Sequence, residues 1–175
     1  MIDWNFFPLE PSESRPSEAR QTLIEMHRAG LIMLARSDVA DTEALNADPD
    51  VRSTLQAQSS ELSEYFGPLI LDHSRLGSSV LGTEEDQVLL ETVFAALFSG
   101  REWLSGNPHD QRDAMHVAWA IRYAFDGFIT DEKKLLKRRQ AIGVKYDFSI
   151  LSPDDALVIA RRLQARAETR QRVQG

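Results

Sequence analysis

The chain has 175 residues, a length typical of one domain and large enough to bury a hydrophobic core without disulfides. Apolar residues make up 42% and charged residues 27%, as in ordinary soluble globular proteins. The absence of cysteine excludes a disulfide scaffold, a thiolate metal site and a cysteine nucleophile. The formal net charge of −7 argues against a broad nucleic-acid-binding surface, but it leaves room for a local basic strip beside an acidic site.

The sequence contains no feature of a secreted or membrane protein. Its N-terminus, MIDWNFFPLEPSES, lacks the basic start and long apolar run of a signal peptide. No apolar stretch reaches the ~20 residues that span a bilayer. We therefore expect a cytoplasmic protein with no membrane interaction, built as a single domain over residues 1–165 with a polar tail over residues 166–175.

The N-terminal segment reads as a strand end, a turn and a helix. An apolar run over residues 1–7, broken by Asp3 and Asn5, predicts the strand end and the turn. Ser14 or Ser17 is suited to cap the helix that follows, and Gly30 is suited to end it.

Two further apolar runs predict buried strands. Residues 31–34, LIML, form the first, between Gly30 and Ser37. Residues 68–71, PLIL, form the second. The polar stretch over residues 38–65 is compatible with helix and is broken at Pro49.

The middle of the chain predicts two helices separated by a loop. Thr83 with Asp86 gives a capping pattern before the apolar helix VLLETVFAALF. The segment SGREWLSGNPHDQ reads as loop, and a second helix begins near Asp113. Asp126-Gly127 then makes the turn into a strand that contains FIT.

The C-terminal part continues the alternation of helix and strand. Residues 133–140 predict a basic helix, and residues 148–151 predict the last strand. Ser152 caps the final helix, with Pro153 at its first position. Helices that alternate with short apolar strands are typical of an α/β fold with a mainly parallel sheet.

Asp113 lies on the apolar side of its predicted helix. At 100° per residue it shares an arc with Val117, Ala120 and Ile121, while the opposite side carries Met115, Trp119, Arg122 and Tyr123. At a helix start a carboxylate gains ~0.3–1 kcal/mol from the helix dipole. Deep burial would cost more, so we expect a partner: backbone amides in a simple cap, a basic side chain or a metal ion.

Other acidic residues also lie close to predicted strand ends. Asp131 and Glu132 follow the strand FIT, Asp3 follows the N-terminal strand, and Glu43 comes shortly after LIML. In parallel sheets, functional groups gather beyond the carboxyl ends of the strands. Converging carboxylates repel one another unless a cation lies between them, and their oxygens suit Mg²⁺ or Mn²⁺. The pattern predicts a metal site.

Several motifs together resemble the PIN-domain family. The run Asp113-x-x-His116-x-Ala118-x-Ala120, then DGFIT, acids and a Leu-Leu pair, is similar to the C-terminal half of PIN domains. ILSPDDAL resembles their closing strand and helix, and Ile2-Asp3-Trp4-Asn5 their first-strand motif. Ser37-x-Val39-x-x-x-Glu43 resembles the segment with the second acid. The resemblance implies a three-layer α/β/α sandwich with a mainly parallel central sheet, and a magnesium- or manganese-dependent ribonuclease.

The resemblance also implies roles for individual residues. Asp3, Glu43 and Asp113 would be the first three catalytic acids. The fourth is either Glu132, which spacing favours, or Asp131. The implied metal ligands are Asp3, Glu43, Asp113 and Glu132, with Asn5 and Thr130 as polar supports. Asp38 and Asp41 are alternatives to Glu43, and we expect His116 to serve in packing.

Three functional hypotheses follow. The first is a ribonuclease that cuts RNA phosphodiester bonds, in which basic side chains of the helix after FIT hold the RNA backbone or form a solvated face: Lys133, Lys134, Lys137, Arg138 and Arg139. The second is a PIN-like binding protein with weak or no catalysis, acting through protein or RNA partners. The third is a toxin held by an antitoxin, with the patches Trp4-Phe6-Phe7 and Trp119-Tyr123 facing a protein partner or the second subunit of a homodimer.

Overall fold

The computed structural model describes residues 1–3, 6, 17–40, 43, 48–70 and 79–174. In these residues the protein is mixed α/β, mostly helical, with short parallel strands. The helices are α1 (Glu18–Arg28), α2 (Pro49–Ser59), α3 (Glu84–Leu97), α4 (Pro108–Arg122), α5 (Lys133–Tyr146) and α6 (Pro153–Gln174). The strands are β1 (Ala35–Ser37), β2 (Ser63–Tyr65), β3 (Gly127–Ile129) and β4 (Ser149–Leu151), and a 3-10 turn covers Trp103–Ser105.

The strands form two parallel pairs, with the N-terminal residues hydrogen-bonded to both. β1 pairs with β2, and β3 pairs with β4. The Ile2 N–H donates to the Ala35 carbonyl of β1 at 2.8 Å, and the Asp3 N–H donates to the Ile129 carbonyl of β3 at 2.9 Å. Asp3 therefore lies close to the carboxyl ends of both β1 and β3.

The predicted positions of the two earlier strands were wrong. The first strand is Ala35–Ser37, directly after the run LIML, because Leu31 and Met33 are 53% and 57% exposed and only the end of that run enters the core. The second strand is Ser63–Tyr65, upstream of PLIL. Pro68 lacks the N–H that a ladder requires and makes only an isolated bridge to Val80. Residue 71 lies outside the described residues.

Local capping signals agree better with the structure. The Ser17 hydroxyl accepts from the Arg20 N–H at the start of α1, and Gly30 follows that helix with a φ of +71°. Thr83 and Asp86 form the predicted reciprocal capping box of α3. The predicted strand after Asp126-Gly127 and the last strand are also confirmed, as β3 and β4.

The predicted start of α4 at Asp113 was wrong. The helix begins at Pro108, within the segment interpreted as loop. The Asn107 side chain accepts from the His109 and Asp110 N–H groups, and Pro108 fits the first helical position, where no N–H is needed. Asp113 therefore lies in the second turn and does not cap the helix.

The predicted two-sided character of α4 was also wrong. Met115 and Trp119, expected opposite Asp113, are 1% and 0% exposed. The helix is buried on all sides because it packs against α3, β1 and β3. Trp119 is thus a core residue and not part of an exposed aromatic patch. In the other patch Phe6 is 1% exposed, and Trp4 and Phe7 lie outside the described residues.

Two hydrophobic clusters support these elements. The larger one surrounds α3, α4 and the β3–β4 pair and contains Phe94, Trp119 and Phe128. The smaller one contains Ile2, Ile129, Leu23 of α1 and Leu157 of α6. Helices α1 and α6 pack against each other. Helix α6 continues to Gln174, through residues for which the sequence predicts a polar tail.

Candidate metal centre

Three buried polar side chains lie at the ends of β1 and β3 or beside them. Asp3 comes directly after Ile2, whose N–H bonds to β1. Ser37 is the last residue of β1, and Thr130 comes directly after β3. They are 4%, 0% and 0% exposed. The Thr130 hydroxyl donates to Asp3 Oδ2 at 2.6 Å.

His116 of α4 contacts this group of polar side chains. Its Nδ1 lies 2.8 Å from Ser37 Oγ, and its Nε2 lies 3.1 Å from Glu43 Oε2. The imidazole is fully buried and stacks on Phe128, with ring centres 5.8 Å apart. Asp3, Glu43 and His116 each offer one ligand atom, and these atoms all lie within 4.8 Å of one another. We call these three residues the acid–histidine cluster.

The pKa values of the cluster are set by burial and by the charges of neighbouring side chains. Burial raises the pKa of Asp3 to about 6, against the opposing influence of His116 and the Thr130 hydroxyl. Burial acts to lower the pKa of His116, but the carboxylates of Glu43, Asp3 and Asp113 outweigh it and raise that pKa to about 9. Burial opposes ionisation of Glu43 as well, yet His116 and Arg112 lower its pKa overall. Arg112 Nε lies 3.5 Å from Glu43 Oε1.

The donor set of the cluster fits one divalent cation. Two carboxylates and one imidazole suit Mn²⁺, Fe²⁺ or Zn²⁺ better than an all-oxygen site would. Histidine ligands usually hydrogen-bond through their second ring nitrogen, and Ser37 lies at hydrogen-bonding distance from Nδ1. The remaining Nε2 then faces Glu43 Oε2 at 3.1 Å, an arrangement that needs either a proton or a cation between the two atoms.

Asp113 belongs to a different group of charges. Lys134 Nζ lies 2.5 Å from Asp113 Oδ2 and 3.1 Å from Asp110 Oδ1. Asp110 also accepts from Asn107 Nδ2 at 2.7 Å and forms an ion pair with Arg101. We call Asp110, Asp113, Lys134 and Arg101 the paired cluster. Burial raises the pKa of Asp113 while Lys134 acts to lower it. The third predicted acid is therefore already paired with a cation.

The two candidates for the fourth acid lie outside the acid–histidine cluster. Asp131 forms an ion pair with Arg20 of α1. Glu132 immediately precedes α5, and its backbone N–H donates to Thr130 Oγ1 at 3.0 Å. Among the described residues, the group of ligand atoms that lie within 4.8 Å of one another contains Asp3, Glu43 and His116 and neither of these two acids. Asn5 lies outside the described residues.

Of the two alternatives to Glu43, Asp38 is occupied elsewhere. Asp38 Oδ1 accepts from the Gly67 N–H at 3.0 Å, and its Oδ2 accepts from the Ser79 hydroxyl at 3.4 Å. These bonds tie the end of β1 to the segment after β2. Asp41 lies outside the described residues. Among the described acids after β1, Glu43 is the one whose carboxylate lies in the same group of ligand atoms as Asp3.

The basic side chains of α5 are divided between pairing and exposure. Lys133, Lys137 and Arg138 are exposed, whereas Lys134 is held by the paired cluster and Arg139 pairs with Asp155 at 2.7 Å. A pocket of about 330 Å³ lies beside the paired cluster. Its lining contains four cationic side chains and one carboxylate: Arg101, Lys134, Lys137, Arg138 and Asp110.

His116 and Ser37 are the residues whose position the sequence reading missed. The sequence predicts a packing role for His116, and its ring does stack on Phe128, but the ring also bridges Ser37 and Glu43. One signal was available. His116 follows Asp113 by three residues, so the two side chains share one face of a helix. The contact with Ser37, 79 residues away, has no local signature.

Comparison of the chain with protein-family models, with curated proteins and with solved structures found no match. Among the described helices, none combines the length and the apolar composition that crossing a bilayer requires.

Proposed function

We propose that this protein is a PIN-like, metal-dependent ribonuclease whose cation is held by Asp3, Glu43 and His116. The observation that carries the proposal is the convergence of three ligand atoms within 4.8 Å at the carboxyl ends of parallel strands. Mg²⁺ and Mn²⁺ are the cations expected of such a protein. The imidazole favours Mn²⁺ of the two, because nitrogen ligands suit transition metals better than Mg²⁺.

The proposed architecture is the three-layer α/β/α sandwich with a parallel central sheet. The backbone hydrogen bonds of Ile2 and Asp3 support it, because they connect one strand pair to the other. The resulting order would be β2, β1, the N-terminal segment, β3 and β4. In that order Asp3 occupies the middle of the sheet, between the ends of β1 and β3.

In the proposed reaction, a bound cation supplies an acidified water and offsets negative charge on the phosphodiester. The chain supplies orientation. Thr130 fixes the Asp3 carboxylate through its hydroxyl, and Ser37 lies where it can fix the tautomer and ring angle of His116. Burial of all four side chains limits their rotation, so the ligand atoms are held in place before substrate arrives.

The cationic pocket beside α5 supports an RNA substrate. Phosphate groups of a nucleic acid are held by lysine and arginine side chains. Of the four that line the pocket, Arg101 and Lys134 pair with carboxylates, while Lys137 and Arg138 are exposed. The formal net charge of the chain is −7, so a local excess of positive charge is not a general property of the surface. Lys134 also touches Asp113, which places the pocket next to the acidic residues.

Cleavage of RNA in Mn²⁺ tests the proposal. The purified protein is mixed with a structured RNA and Mn²⁺, and its cleavage rate is compared with that of Asp3→Asn. Asp131→Asn is the matched control, since Asp131 is an acid after a strand that pairs with Arg20 instead of the cluster. We expect Asp3→Asn to lose cleavage and Asp131→Asn to retain it. Equal cleavage by Asp3→Asn and the unmodified protein would contradict the assignment.

One observation favours a second candidate, a PIN-like binding protein without catalysis. Glu43 already contacts two cationic partners, His116 at 3.1 Å and Arg112 at 3.5 Å, so part of the acidic charge is compensated within the chain. Calorimetric titration with Mn²⁺ separates the candidates. The absence of binding heat would favour the binding protein, and heat that disappears in Asp3→Asn would favour the ribonuclease.

The toxin form of the proposal concerns partners. Burial of Trp119 removes one of the two aromatic patches expected to face an antitoxin or a second subunit. The neighbouring open reading frame would identify an antitoxin, and light scattering would measure whether the chain forms a homodimer. We place the reaction in the cytoplasm, where RNA substrates are available.

A further inference from the structure

We propose that Lys134 acts as a built-in cation at Asp113, so that the catalytic site takes one metal ion and not two. This inference rests on the proposed function, because it concerns how many ions that site holds. It assigns Lys134 as a positioning residue and removes Asp113 from the set of metal ligands.

The geometry commits the Lys134 ammonium to this place. Its Nζ lies 2.5 Å from Asp113 Oδ2 and 3.1 Å from Asp110 Oδ1, so two carboxylates hold it at once. The Phe98 ring lies below it, with Nζ 5.8 Å from the ring centre. Asp113 is 3% exposed, which leaves its carboxylate little access to other cations. The contact with Asp110 is a charge-assisted hydrogen bond, and the contact with Asp113 is an ion pair with a buried carboxylate oxygen.

The same contacts oppose a second metal ion. In sites with two metals the ions lie ~3.5–4 Å apart and share carboxylate ligands. An ion bound at Asp113 would share its carboxylate with the Lys134 ammonium, and two positive charges that close together repel. Asp113 lies close enough to the acid–histidine cluster to influence Asp3 and His116 electrostatically. Lys134 therefore supplies positive charge at the point where a second cation would otherwise bind.

Lys134 also connects the two parts of the proposed active site. Its side chain is about one-third exposed and lines the cationic pocket with Arg101, Lys137 and Arg138. A lysine ammonium recognises phosphate as a point charge. Lys134 would thus hold Asp113 in place and present a fixed charge towards a phosphate group in the pocket.

The stoichiometry of Mn²⁺ binding tests this inference without any measurement of activity. Calorimetric titration gives the number of ions, and electron paramagnetic resonance detects magnetic coupling between two neighbouring Mn²⁺ ions. We expect one ion in the unmodified protein, in Lys134→Arg and in the control Lys137→Met. We expect two coupled ions in Lys134→Met, and one again in the double variant Lys134→Met/Asp113→Asn.

A second variant keeps the test decisive if Lys134→Met does not fold. Asp113→Asn should retain its single ion with less than a ~10-fold loss of affinity, because Asp113 is not a metal ligand in this proposal. Loss of a true ligand would cost at least the ~10–100-fold that is typical of losing an outer partner. A larger loss would overturn the inference, as would a single ion in folded Lys134→Met. Two ions in the unmodified protein would overturn it and leave the metal-dependent ribonuclease in place. No ion in any variant would overturn both.

Discussion

The acid–histidine cluster and the paired cluster both contain buried carboxylates, but different groups compensate the negative charge in each. In the paired cluster, Asp110 and Asp113 contact an ammonium or a guanidinium directly, and the pKa of Asp110 is lowered by Lys134, Asn107 and Arg101 despite burial. In the acid–histidine cluster, burial raises the pKa of Asp3 to about 6, and the group that donates a hydrogen bond to Asp3 is the uncharged Thr130 hydroxyl. Lys134 and Arg101 compensate the paired cluster. In the acid–histidine cluster His116 and Arg112 compensate Glu43, while burial opposes the ionisation of Asp3, and a metal ion would bind there in place of the His116 proton.

Removal of the Asp3 carboxylate should have the largest effect. We expect Asp3→Asn to weaken Mn²⁺ binding at least ~100-fold, because even outer partners of metal ligands contribute ~10–100-fold. Asp131→Asn should leave the affinity unchanged, since Asp131 pairs with Arg20. Calorimetric titration measures both. Similar losses of Mn²⁺ affinity in the two variants would show that the ion responds to the total negative charge of the protein and not to the cluster.

Loss of the Ser37 hydroxyl should have the next largest effect. It lies 2.8 Å from His116 Nδ1, so Ser37→Ala should leave the imidazole less well oriented and weaken Mn²⁺ binding ~10-fold. Ser79→Ala is the control, because the Ser79 hydroxyl contacts Asp38 outside the cluster. Mn²⁺ titration of both variants checks the prediction. An unchanged affinity in Ser37→Ala would mean that His116 does not bind the ion.

The paired cluster should respond through stability. Lys134→Met leaves Asp113 and Asp110 without their shared cation, and we expect a loss of ~1–2 kcal/mol in the free energy of unfolding, less than for a fully buried pair because Lys134 is partly exposed. Lys134→Met/Asp113→Leu should recover part of that loss, since no charge is then stranded at position 113. Chemical denaturation measures both, and an equal loss in the two variants would contradict the pairing.

The pH dependence of stability without metal should depend on His116. The pKa of His116 is about 9 in the folded protein and ~6.5 in an unfolded chain, so folding favours its protonated form. This stabilisation is fully present below pH ~6.5 and is lost as the pH rises through 9. Melting temperatures in EDTA should fall over this range more steeply in the unmodified protein than in His116→Asn. Parallel curves would contradict the prediction.

Local signals in the sequence predicted much of the fold. The Thr83–Asp86 capping box and the Ser17 cap follow from hydrogen bonds between neighbouring residues, so the sequence contains all that they need. The strand after Asp126-Gly127 was also predictable, because its apolar residues follow a turn signal. The position of β1 was not, because exposure of Leu31 and Met33 depends on what packs against them.

The candidate site was predictable only in part. Asp3 and Glu43 were expected to converge because each follows a strand, and the structure brings them together. The partner of Asp113 depends on how α4 meets α5, and that of Asp131 on where α1 lies. Neither arrangement has a local signature. A carboxylate's position on a helix indicates that it needs a partner, while the tertiary fold decides which partner it receives.

The most direct test of the central claim is the location of a bound ion. Crystals of the protein soaked in Mn²⁺ would be measured by anomalous scattering, which identifies the metal by its position and its absorption edge. We predict one peak, in contact with the Asp3 and Glu43 carboxylates and with His116 Nε2. A peak at Asp113 or Glu132 instead, or no peak under saturating Mn²⁺, would contradict the assignment.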